Sequence, residues 1–370
     1  MRRYRLAGLA LASIIVAPHA ALAQDDDGDE ENRGTIDVLL EEVIVTARKR
    51  EELAQQTPLS VTAYNDEQIE ALKVRKLDDL AVGMPNVALD DIGTAKGLAN
   101  FSIRGLGINS SIPSIDPTVG VFIDGVYMGM NAGLVFDMFD LASIEVLRGP
   151  QGTLFGRNST GGVINYHTAR PHDQWSSGLS VTMGNYRQRK ITAVANAPLT
   201  DNWALRWAGV SEQADSYTEY TADSVPADRE NRYNNTDLFS HRLSSSWQVT
   251  DSLDWWLSYE RFEDRGAGSL PVVDYDTPVT IDTPGRTRLD QDALRSRMEF
   301  TLPGGASLAY IAGYGFTDRS QDWDADRSGA VGSETDPAIY HQSNRTVWSE
   351  YRARQHEVQL KSRDDERLRW

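Results

Sequence analysis

A glycine-rich loop between two strand-like runs holds the residue types that most resemble a binding site. Residues 144–171 read IEVLRGPQGTLFGRNSTGGVINYHTARP, and the turn residues of the loop are Gly149, Pro150, Gly152, Gly156, Gly161 and Gly162. Such glycines predict backbone positions with φ > 0 and close approach by other chain segments. The loop could bind phosphate, but a P-loop needs Gly-Lys-Ser/Thr leading into a helix. Because Gly161-Gly162 leads into β-branched strand residues, the sequence disfavours a nucleotide site.

Acidic and histidine residues in the second half of the chain offer the other candidate chemistry. Asp322, Asp324 and Asp326 are spaced like the start of a calcium loop, but the glycine and glutamate that such a loop requires further on are absent. His241 or His341 could act as a base, yet no Ser-His-Asp order, metal-spaced histidine pair or nucleophile elbow accompanies them. The sequence therefore predicts a solvated acidic loop and no enzyme activity, metal site or cofactor.

The first 23 residues have the pattern of an export signal. Three arginines within the first five residues precede an apolar run over residues 6–16, and the small residues of Ala21-Leu22-Ala23 follow. The apolar run is shorter than the roughly 20 residues that a membrane-spanning helix needs. We expect a signal peptide over residues 1–23 and a mature chain that begins near Gln24.

Composition sets further bounds on the function. The chain has 370 residues, a formal net charge of −17 and no cysteine. Without cysteine there is neither a disulfide scaffold nor thiol chemistry. The acidic balance argues against a nucleic-acid partner, because such a surface needs a basic patch that displaces counterions. An exported chain without a long apolar helix is periplasmic, secreted or an outer-membrane β-barrel.

A β-branched segment stands alone near the N-terminus. It comprises Glu42, Val43, Ile44, Val45, Thr46 and Ala47, and it follows an acidic stretch, residues 24–41, that is predicted to be a flexible tether. The sequence shows no hairpin partner close by, so we expect an unpaired strand. Such a strand suits β-augmentation, in which the sheet edge of a partner protein captures it through main-chain hydrogen bonds. An ordinary edge strand is the alternative interpretation.

Residues 48–171 predict a compact α+β domain of about 120 residues. Short helices are expected over residues 66–72, capped by Asp66, and over residues 77–82. The other elements are short strands, each bounded by Gly or Pro. They are expected at residues 59–64, 87–89, 101–104, 119–126, 144–147 and 163–168.

From residue 172 to residue 370 the pattern changes to successive strands of about ten residues, the length of a tilted transmembrane strand. Apolar and polar residues alternate, as in Leu253/Trp255/Leu257/Tyr259. The strands of a soluble β-sandwich would show the same alternation of apolar and polar residues. Here, however, the connections between strands are in turn short and long, with polar loops of roughly 20–27 residues. This asymmetry is typical of an outer-membrane barrel. The expected turns lie at residues 198–202, 250–252, 303–305 and 363–365, and the expected loops near 214–236, 265–291 and 320–345. Tryptophans clustered at residues 203–256 suit an aromatic girdle.

Four motifs mark residues 42–171, namely FSIRG at residues 101–105, DP at 116–117, VGVFIDGVY at 119–127 and LRGPQGTLFGRNSTGG at 147–162. With them, residues 42–171 resemble the N-terminal segment and plug domain of the TonB-dependent outer-membrane receptors. The resemblance departs at Tyr166-His167 and at Ala169, where a more apolar strand end followed by lysine is usual.

The resemblance implies an α+β plug domain followed by an antiparallel transmembrane β-barrel in the outer membrane of a Gram-negative bacterium. It makes residues 42–47 the TonB box, through which TonB and its inner-membrane energising complex would drive transport. Arg104 and Arg148 would pair with carboxylates of the barrel wall and lock the plug; arginines solvated in a wet lumen are the alternative. The family barrel has about 22 strands, and about eight or nine are expected here, so the chain is expected to be truncated.

The expected function is energy-coupled uptake of a scarce extracellular ligand, most often an iron complex such as a ferric siderophore. Import of vitamin B12 or an oligosaccharide by the same receptor class is the first alternative. An outer-membrane β-barrel enzyme or a structural porin is the alternative from a different class. The expected partners are TonB, outer-membrane lipid and the small ligand.

Overall fold

A computed structural model describes residues 44–72, 74, 77–81, 83–92, 95–108, 115–129, 139–217, 220–221, 233–267, 279–280, 285–324 and 344–363. These residues all belong to one compact unit, Glu42–Trp370. The predicted signal peptide, the tether, Glu42, Val43, Asp326 and His341 lie outside the described residues. No described helix is long and apolar enough to cross a membrane.

The segment predicted to be an unpaired strand forms a small hairpin instead. Strand β1 (Ile44–Val45) pairs antiparallel with β2 (Glu52–Leu53), with Ile44 opposite Leu53 and Val45 opposite Glu52. The expectation of no hairpin partner was therefore wrong. The partner strand has only two residues and little β-branched character, so the sequence pattern gave no sign of it.

The plug domain, residues 48–171, contains two sheets and short helices. The five-stranded sheet has the order β3-β9-β10-β7-β8, in which β10 is parallel to β7 and antiparallel to β9, and the second sheet has the order β4-β5-β6. The helices are a 3-10 turn (Ala54–Gln56), α1 (Asp66–Ala71), α2 (Leu77–Ala81) and α3 (Gly152–Phe155). The strands are β3 (Val61–Asn65), β4 (Val87–Ile92), β5 (Ala95–Ile103), β6 (Leu106–Gly107), β7 (Val119–Ile123), β8 (Val126–Tyr127), β9 (Leu141–Arg148) and β10 (Gly162–Thr168).

Two local details of the plug differ from the sequence prediction. The N-cap of α1 is Asn65 rather than Asp66, because the Asn65 side chain accepts from the Gln68 amide at 2.8 Å and Gln68 bonds back in a capping box. Residues 119–127 are a hairpin rather than one strand. Asp124 and Gly125 both have positive φ, 53° and 84°, as a two-residue type I′ turn requires.

The plug core lies where apolar faces of its sheets and helices meet. Buried side chains from α1, α2 and five strands form one cluster, which includes Ile69, Leu80, Leu89, Phe101, Ile103, Val121, Val146 and Ile164. Each fully buried side chain of this size contributes roughly 1.5–3 kcal/mol relative to an exposed one. This core holds β9 and β10 in place, and both strands carry candidate site residues.

The rest of the described chain forms one antiparallel sheet of eight strands, here called the wall sheet, in the order β11-β12-β13-β15-β16-β18-β19-β20. Two-residue strands β14 (Tyr220–Thr221) and β17 (Val279–Thr280) pair separately. The wall strands are β11 (Ser176–Met183), β12 (Arg189–Thr200), β13 (Trp203–Ala214), β15 (Thr236–Thr250), β16 (Leu253–Asp264), β18 (Arg286–Thr301), β19 (Ser307–Asp324) and β20 (Asn344–Lys361). The predicted antiparallel sheet is confirmed, although several strands exceed ten residues.

The two faces of the wall sheet differ as the alternation predicts. One face exposes large apolar side chains such as Leu179, Leu243 and Val358, and the other packs against the plug. Near the short turns, the Trp203, Trp247 and Trp255 rings stand side by side with centroids 6.2 and 6.4 Å apart. Such a row of indoles is typical of a membrane–water interface.

Candidate functional site

The described part of the predicted partner-binding strand, residues 44–47, is docked on the plug. Ile44 is 55% exposed, whereas Val45 and Ala47 are fully buried. The two buried side chains belong to an apolar cluster with residues of β7, β9, α3 and β10, namely Phe122, Leu147, Phe155 and Val163. Alternate side chains of the strand therefore anchor it to the plug while Ile44 points to solvent.

A polar socket on β9 and β10 holds Thr46 between the two buried anchors. The Thr46 amide donates to Glu145 Oε1 at 2.6 Å, and Thr46 Oγ1 lies 3.1 Å from the same oxygen and 2.9 Å from His167 Nε2. Asn165 donates to Thr46 Oγ1 at 3.3 Å. Glu145 and Asn165 face each other in the β9–β10 register and are buried. The carboxylate replaces the hydrogen bonds that Thr46 would otherwise make with water.

This socket was not predicted, although the sequence contains a signal for it. Asn165 and His167 are polar residues at alternate positions of an otherwise apolar strand, so they share one face of β10. Glu145 is a lone carboxylate inside the apolar run of β9. A buried charge needs partners, and the pattern showed the charge without showing what would pair with it.

Basic residues that follow the docked strand connect it to the wall sheet. Lys49 Nζ lies 3.3 Å from Glu357 Oε1 of β20 and 4.6 Å from the centroid of the Phe155 ring. Arg50 donates to Ser362 Oγ at 3.1 Å. The docked strand is thus held by the plug on one side and tied to the last described wall strand on the other.

The glycines of the glycine-rich loop are needed for two different reasons, a positive φ at some positions and close approach of another chain segment at others. Gly149 and Gly156 have positive φ values of 105° and 78°, as the sequence predicts. At Gly162 an added Cβ would lie 2.3 Å from the Leu147 carbonyl oxygen, and at Gly161 one would lie 3.1 Å from the Leu106 carbonyl oxygen, so close approach requires glycine there. Gly152 has neither constraint; it begins helix α3, which the sequence analysis did not predict. Pro150 is exposed.

The two predicted lock arginines lie near one another but make no ion pair within the described residues. Arg104 is exposed at a positive φ of 54°, and its Nη1 would be 3.3 Å from a Cβ at Gly149. Arg148 is partly buried and its Nε has no hydrogen-bond partner in the described part of the chain. Their role as a lock stays a prediction.

Plug and wall sheet are instead joined by a plug carboxylate and two wall arginines. Asp140 precedes β9, and its carboxylate accepts from Arg206 Nε at 3.0 Å and from Arg242 Nη2 at 2.9 Å. Arg242 also donates to the Asp140 backbone carbonyl at 2.7 Å. The Asp140 and Arg242 side chains are almost completely buried. In this contact the anion lies on the plug and the cations lie on the wall, whereas the predicted lock has its cations on the plug.

A second buried carboxylate, Asp124, lies in the turn of the β7–β8 hairpin. It accepts from the Thr168 amide and hydroxyl, each at 3.0 Å, and lies 3.5 Å from Arg170 Nη2. Burial opposes its charged form, but the nearby Arg170 and Arg295 charges and the Thr168 hydrogen bond prevail, so the pKa of Asp124 lies below its ordinary value of 3.8. Asp124 thus fixes the junction between plug and wall as an ionised group.

Of the residues considered for catalysis or calcium binding, only His241 and Asp322 have described side chains. His241 lies on the face of the wall sheet that exposes large apolar side chains. Its ring centroid is 5.7 Å from that of Phe239 and 6.3 Å from that of Tyr259. Asp322 is on β19, and the side chain of Asp324 is outside the described set. Within the described residues, no group of three or more His, Asp or Glu side chains is placed to hold a metal ion.

Comparison with known proteins gives the family of the plug. Residues 54–163 match the family model of the TonB-dependent receptor plug domain. The vitamin B12 transporter BtuB of Vibrio vulnificus is 23% identical over 210 residues, which cover 56% of this chain and 33% of the relative. The ferrioxamine B receptor of Salmonella typhimurium (strain LT2) is 29% identical over 230 residues, 60% of this chain and 30% of the relative. The chain thus spans a third or less of these curated relatives.

Solved structures share the fold. The siderophore receptor PiuA from Acinetobacter baumannii superimposes with a TM-score of 0.62 at 19% identity, over 85% of this chain and 44% of that one. The ferripyoverdine receptor of Pseudomonas aeruginosa gives 0.61 at 14% identity, over 86% and 41%. Each chain is under 20% identical to this one, so the comparison shows a shared fold, and this chain spans less than half of the length of either. Residues 54–163 thus form a TonB-dependent receptor plug domain, and the chain is similar to receptors of this kind.

Proposed function

We propose that this chain acts in the energy-coupled uptake of a scarce extracellular ligand, with residues 42–47 as the segment that TonB captures. The observation that carries the proposal is the docked strand. Within the described residues β1 pairs along one edge only, with β2, and Ile44 is exposed. A strand with one open edge can accept a partner strand through main-chain hydrogen bonds.

The proposed cargo is an iron complex of the ferric siderophore class. Relatives and fold neighbours are named as receptors for ferrioxamine B and ferripyoverdine. A second candidate is vitamin B12, since one of the relatives is named as a transporter of it. The family consists of transport receptors rather than enzymes, so the β-barrel enzyme of the sequence analysis is not proposed further.

The proposal extends to maturation and to mechanism. Residues 1–23 are proposed as a signal peptide removed before about Gln24, and residues 24–41 as the tether that lets the segment reach a periplasmic partner. When TonB binds the strand and pulls, the force passes to Thr46 and its socket and through Lys49 and Arg50 to β20. The plug contacts would then loosen and open a path for the ligand.

The test compares two proline variants of the full-length receptor. Val45→Pro removes a main-chain donor from the proposed partner-binding strand, and Glu52→Pro disturbs the same hairpin pair from the opposite strand. A growth screen in iron-limited cells first identifies a ferric chelate that the receptor takes up. We expect Val45→Pro to bind this chelate at the cell surface normally and to lose its accumulation in the cell, while Glu52→Pro keeps both.

Two outcomes would count against the proposal. Equal loss of surface binding and accumulation in Val45→Pro would mean that the segment serves the folded receptor only. Equal loss of accumulation in Glu52→Pro would mean that the hairpin, rather than strand capture, is what matters.

A further inference from the structure

A band of cationic side chains crosses the plug-facing side of the wall sheet. Arg206 of β13, Arg242 of β15 and Arg295 of β18 all point inward, and Glu260 of β16 lies directly opposite Arg242 in the register. Glu260 accepts from Arg295 Nη1 at 3.0 Å and lies 3.8 Å from Arg242 Nη1. Among the described wall residues, Glu260 is the one carboxylate that pairs with any of these three guanidinium groups.

Two of these arginines, Arg242 and Arg295, are buried and incompletely bonded. The side chains of Arg295 and Arg242 are 1% and 4% exposed. The Nε atoms of both have no hydrogen-bond partner within the described part of the chain. Buried charge without compensation is strongly unfavourable, so the missing negative charge must come from outside the wall.

The plug supplies it through Asp124, which lies near Arg295, and through Asp140, which binds the wall in the manner of a ligand. The Asp140 carboxylate accepts from Arg206 Nε at 3.0 and 3.1 Å, through both oxygens, and from Arg242 Nη2. The Arg242 guanidinium also lies 5.3 Å from the Phe139 ring centroid. Two planar donor groups that meet at one carboxylate are the arrangement by which proteins recognise carboxylates.

We propose that Arg206 and Arg242 form a carboxylate-binding site on the inner wall, which Asp140 fills in this structure and which accepts a small external carboxylate when Asp140 is withdrawn. The same site would meet the anionic oxygen groups of a passing iron chelate. That second step rests on the proposed function, whereas carboxylate binding does not. When the plug moves away from the wall, an anionic cargo would thus be able to replace the charge of Asp140 at Arg206 and Arg242.

Replacing Asp140 by glycine creates the vacant site with little backbone strain. Asp140 has a positive φ of 54°, which glycine adopts readily. The change deletes one methylene and one carboxylate, a fragment equivalent to acetate. The probe is therefore sodium acetate, compared with sodium chloride at the same concentration.

The experiment uses full-length Asp140→Gly receptor, expressed in cells that lack TonB and purified in detergent. We expect its thermal unfolding midpoint to fall below that of the wild type. Acetate should raise the midpoint by about 2–4 °C relative to chloride. Refolding from urea should likewise give several-fold more folded receptor in acetate than in chloride, so the comparison does not depend on assembly in the cell.

Two matched variants control the assignment. Asp140→Gly combined with Arg242→Gln should lose the acetate response, because one of the two donors is gone. Asp140→Asn keeps the space filled and should respond little. An equal effect of acetate and chloride on Asp140→Gly would overturn the proposal, as would an acetate response that survives Arg242→Gln. Failure to refold in either salt would also contradict it. None of these readouts depends on TonB, so they are separate from the test of the proposed uptake.

Discussion

Glu145 shows at the scale of single residues how the docked strand is held. It is a buried carboxylate of strand β9. Its polar partners are the amide and hydroxyl of Thr46 together with Asn165 and His167. The sequence showed each polar residue but not the contact between them, since Thr46 and Glu145 are 99 positions apart. Glycines 161 and 162 were easier to interpret, because only a missing side chain allows the approach that they make.

The first residue-scale prediction concerns Thr46→Val, which keeps the shape of the side chain and removes its hydroxyl. Buried Glu145 and Asn165 lose a partner, a loss that costs about 1–3 kcal/mol for a buried polar group. We expect the docked strand to open more often and trypsin to cleave faster after residues 48–50. The matched change Thr192→Val, on wall strand β12, should leave the cleavage rate unchanged. Equal rates in wild type and Thr46→Val would show that the socket does not hold the strand.

The second residue-scale prediction is a pH dependence at Asp124. Its pKa is lowered in the folded state, chiefly because Arg170 and Arg295 outweigh the effect of burial. The stabilising contribution is therefore fully present above the unfolded pKa and is lost as the pH falls through the folded one. Asp124→Asn should be less stable than wild type at pH 7, and the difference in unfolding midpoint should shrink below about pH 4. A difference that stays constant from pH 7 to pH 3 would contradict this account.

At the scale of elements, strong patterns were predicted well and weak ones were missed. Wall strands such as β16 alternate large apolar and polar residues, so the sequence predicts them clearly. Strand β12 (Arg189–Thr200) was not predicted, because its apolar face is mainly alanine. Helix α3 and the β1–β2 hairpin are too short to show a period. The Asp124-Gly125 turn carried a hairpin signal that the continuous apolar run concealed.

The element-scale prediction concerns the start of β10. An added Cβ at Gly162 would lie 2.3 Å from the Leu147 carbonyl oxygen and 2.7 Å from Ile103 Cδ1. Gly162→Ala should therefore separate β10 from β9, with a loss of about 1–3 kcal/mol in the free energy of unfolding, the usual effect of overpacking. Gly152→Ala, where a Cβ meets nothing within 4 Å, is the control and should be neutral. Chemical denaturation of the purified receptor measures both, and equal midpoints would refute the close-packing argument.

At the scale of the whole molecule, the order of plug and wall could be inferred from the sequence, but the contacts between them could not. Asp140 meets Arg206 and Arg242 across 66 and 102 positions of the chain. Periodicity tells which face a side chain occupies and carries no information about its partner on another sheet. The sequence therefore predicted a lock from two plug arginines but did not reveal the contact of Asp140 with Arg206 and Arg242.

The prediction at this scale compares the two kinds of lock in the full-length receptor. Arg242→Gln removes one of the two guanidinium partners of buried Asp140, which keeps Arg206, and breaking one side of a buried ion pair costs up to about 3–5 kcal/mol. We expect it to loosen the plug and to increase sensitivity to large antibiotics that normally do not cross the outer membrane. Arg148→Ala removes no ion pair among the described residues and should increase sensitivity less. A larger effect of Arg148→Ala would restore the plug arginines as the lock.

The most direct test of the central claim is a site-specific cross-link between the docked strand and TonB. The chain has no cysteine, so Ile44→Cys places a single thiol on an exposed position of the strand, and Ser177→Cys on β11 is an exposed control. The partner is TonB with one cysteine in its receptor-binding domain, expressed in the same cells. The account predicts a disulfide-linked receptor–TonB species for Ile44→Cys, increased by the external chelate, and none above background for Ser177→Cys. Equal cross-linking at the two positions, or none at Ile44→Cys, would contradict it.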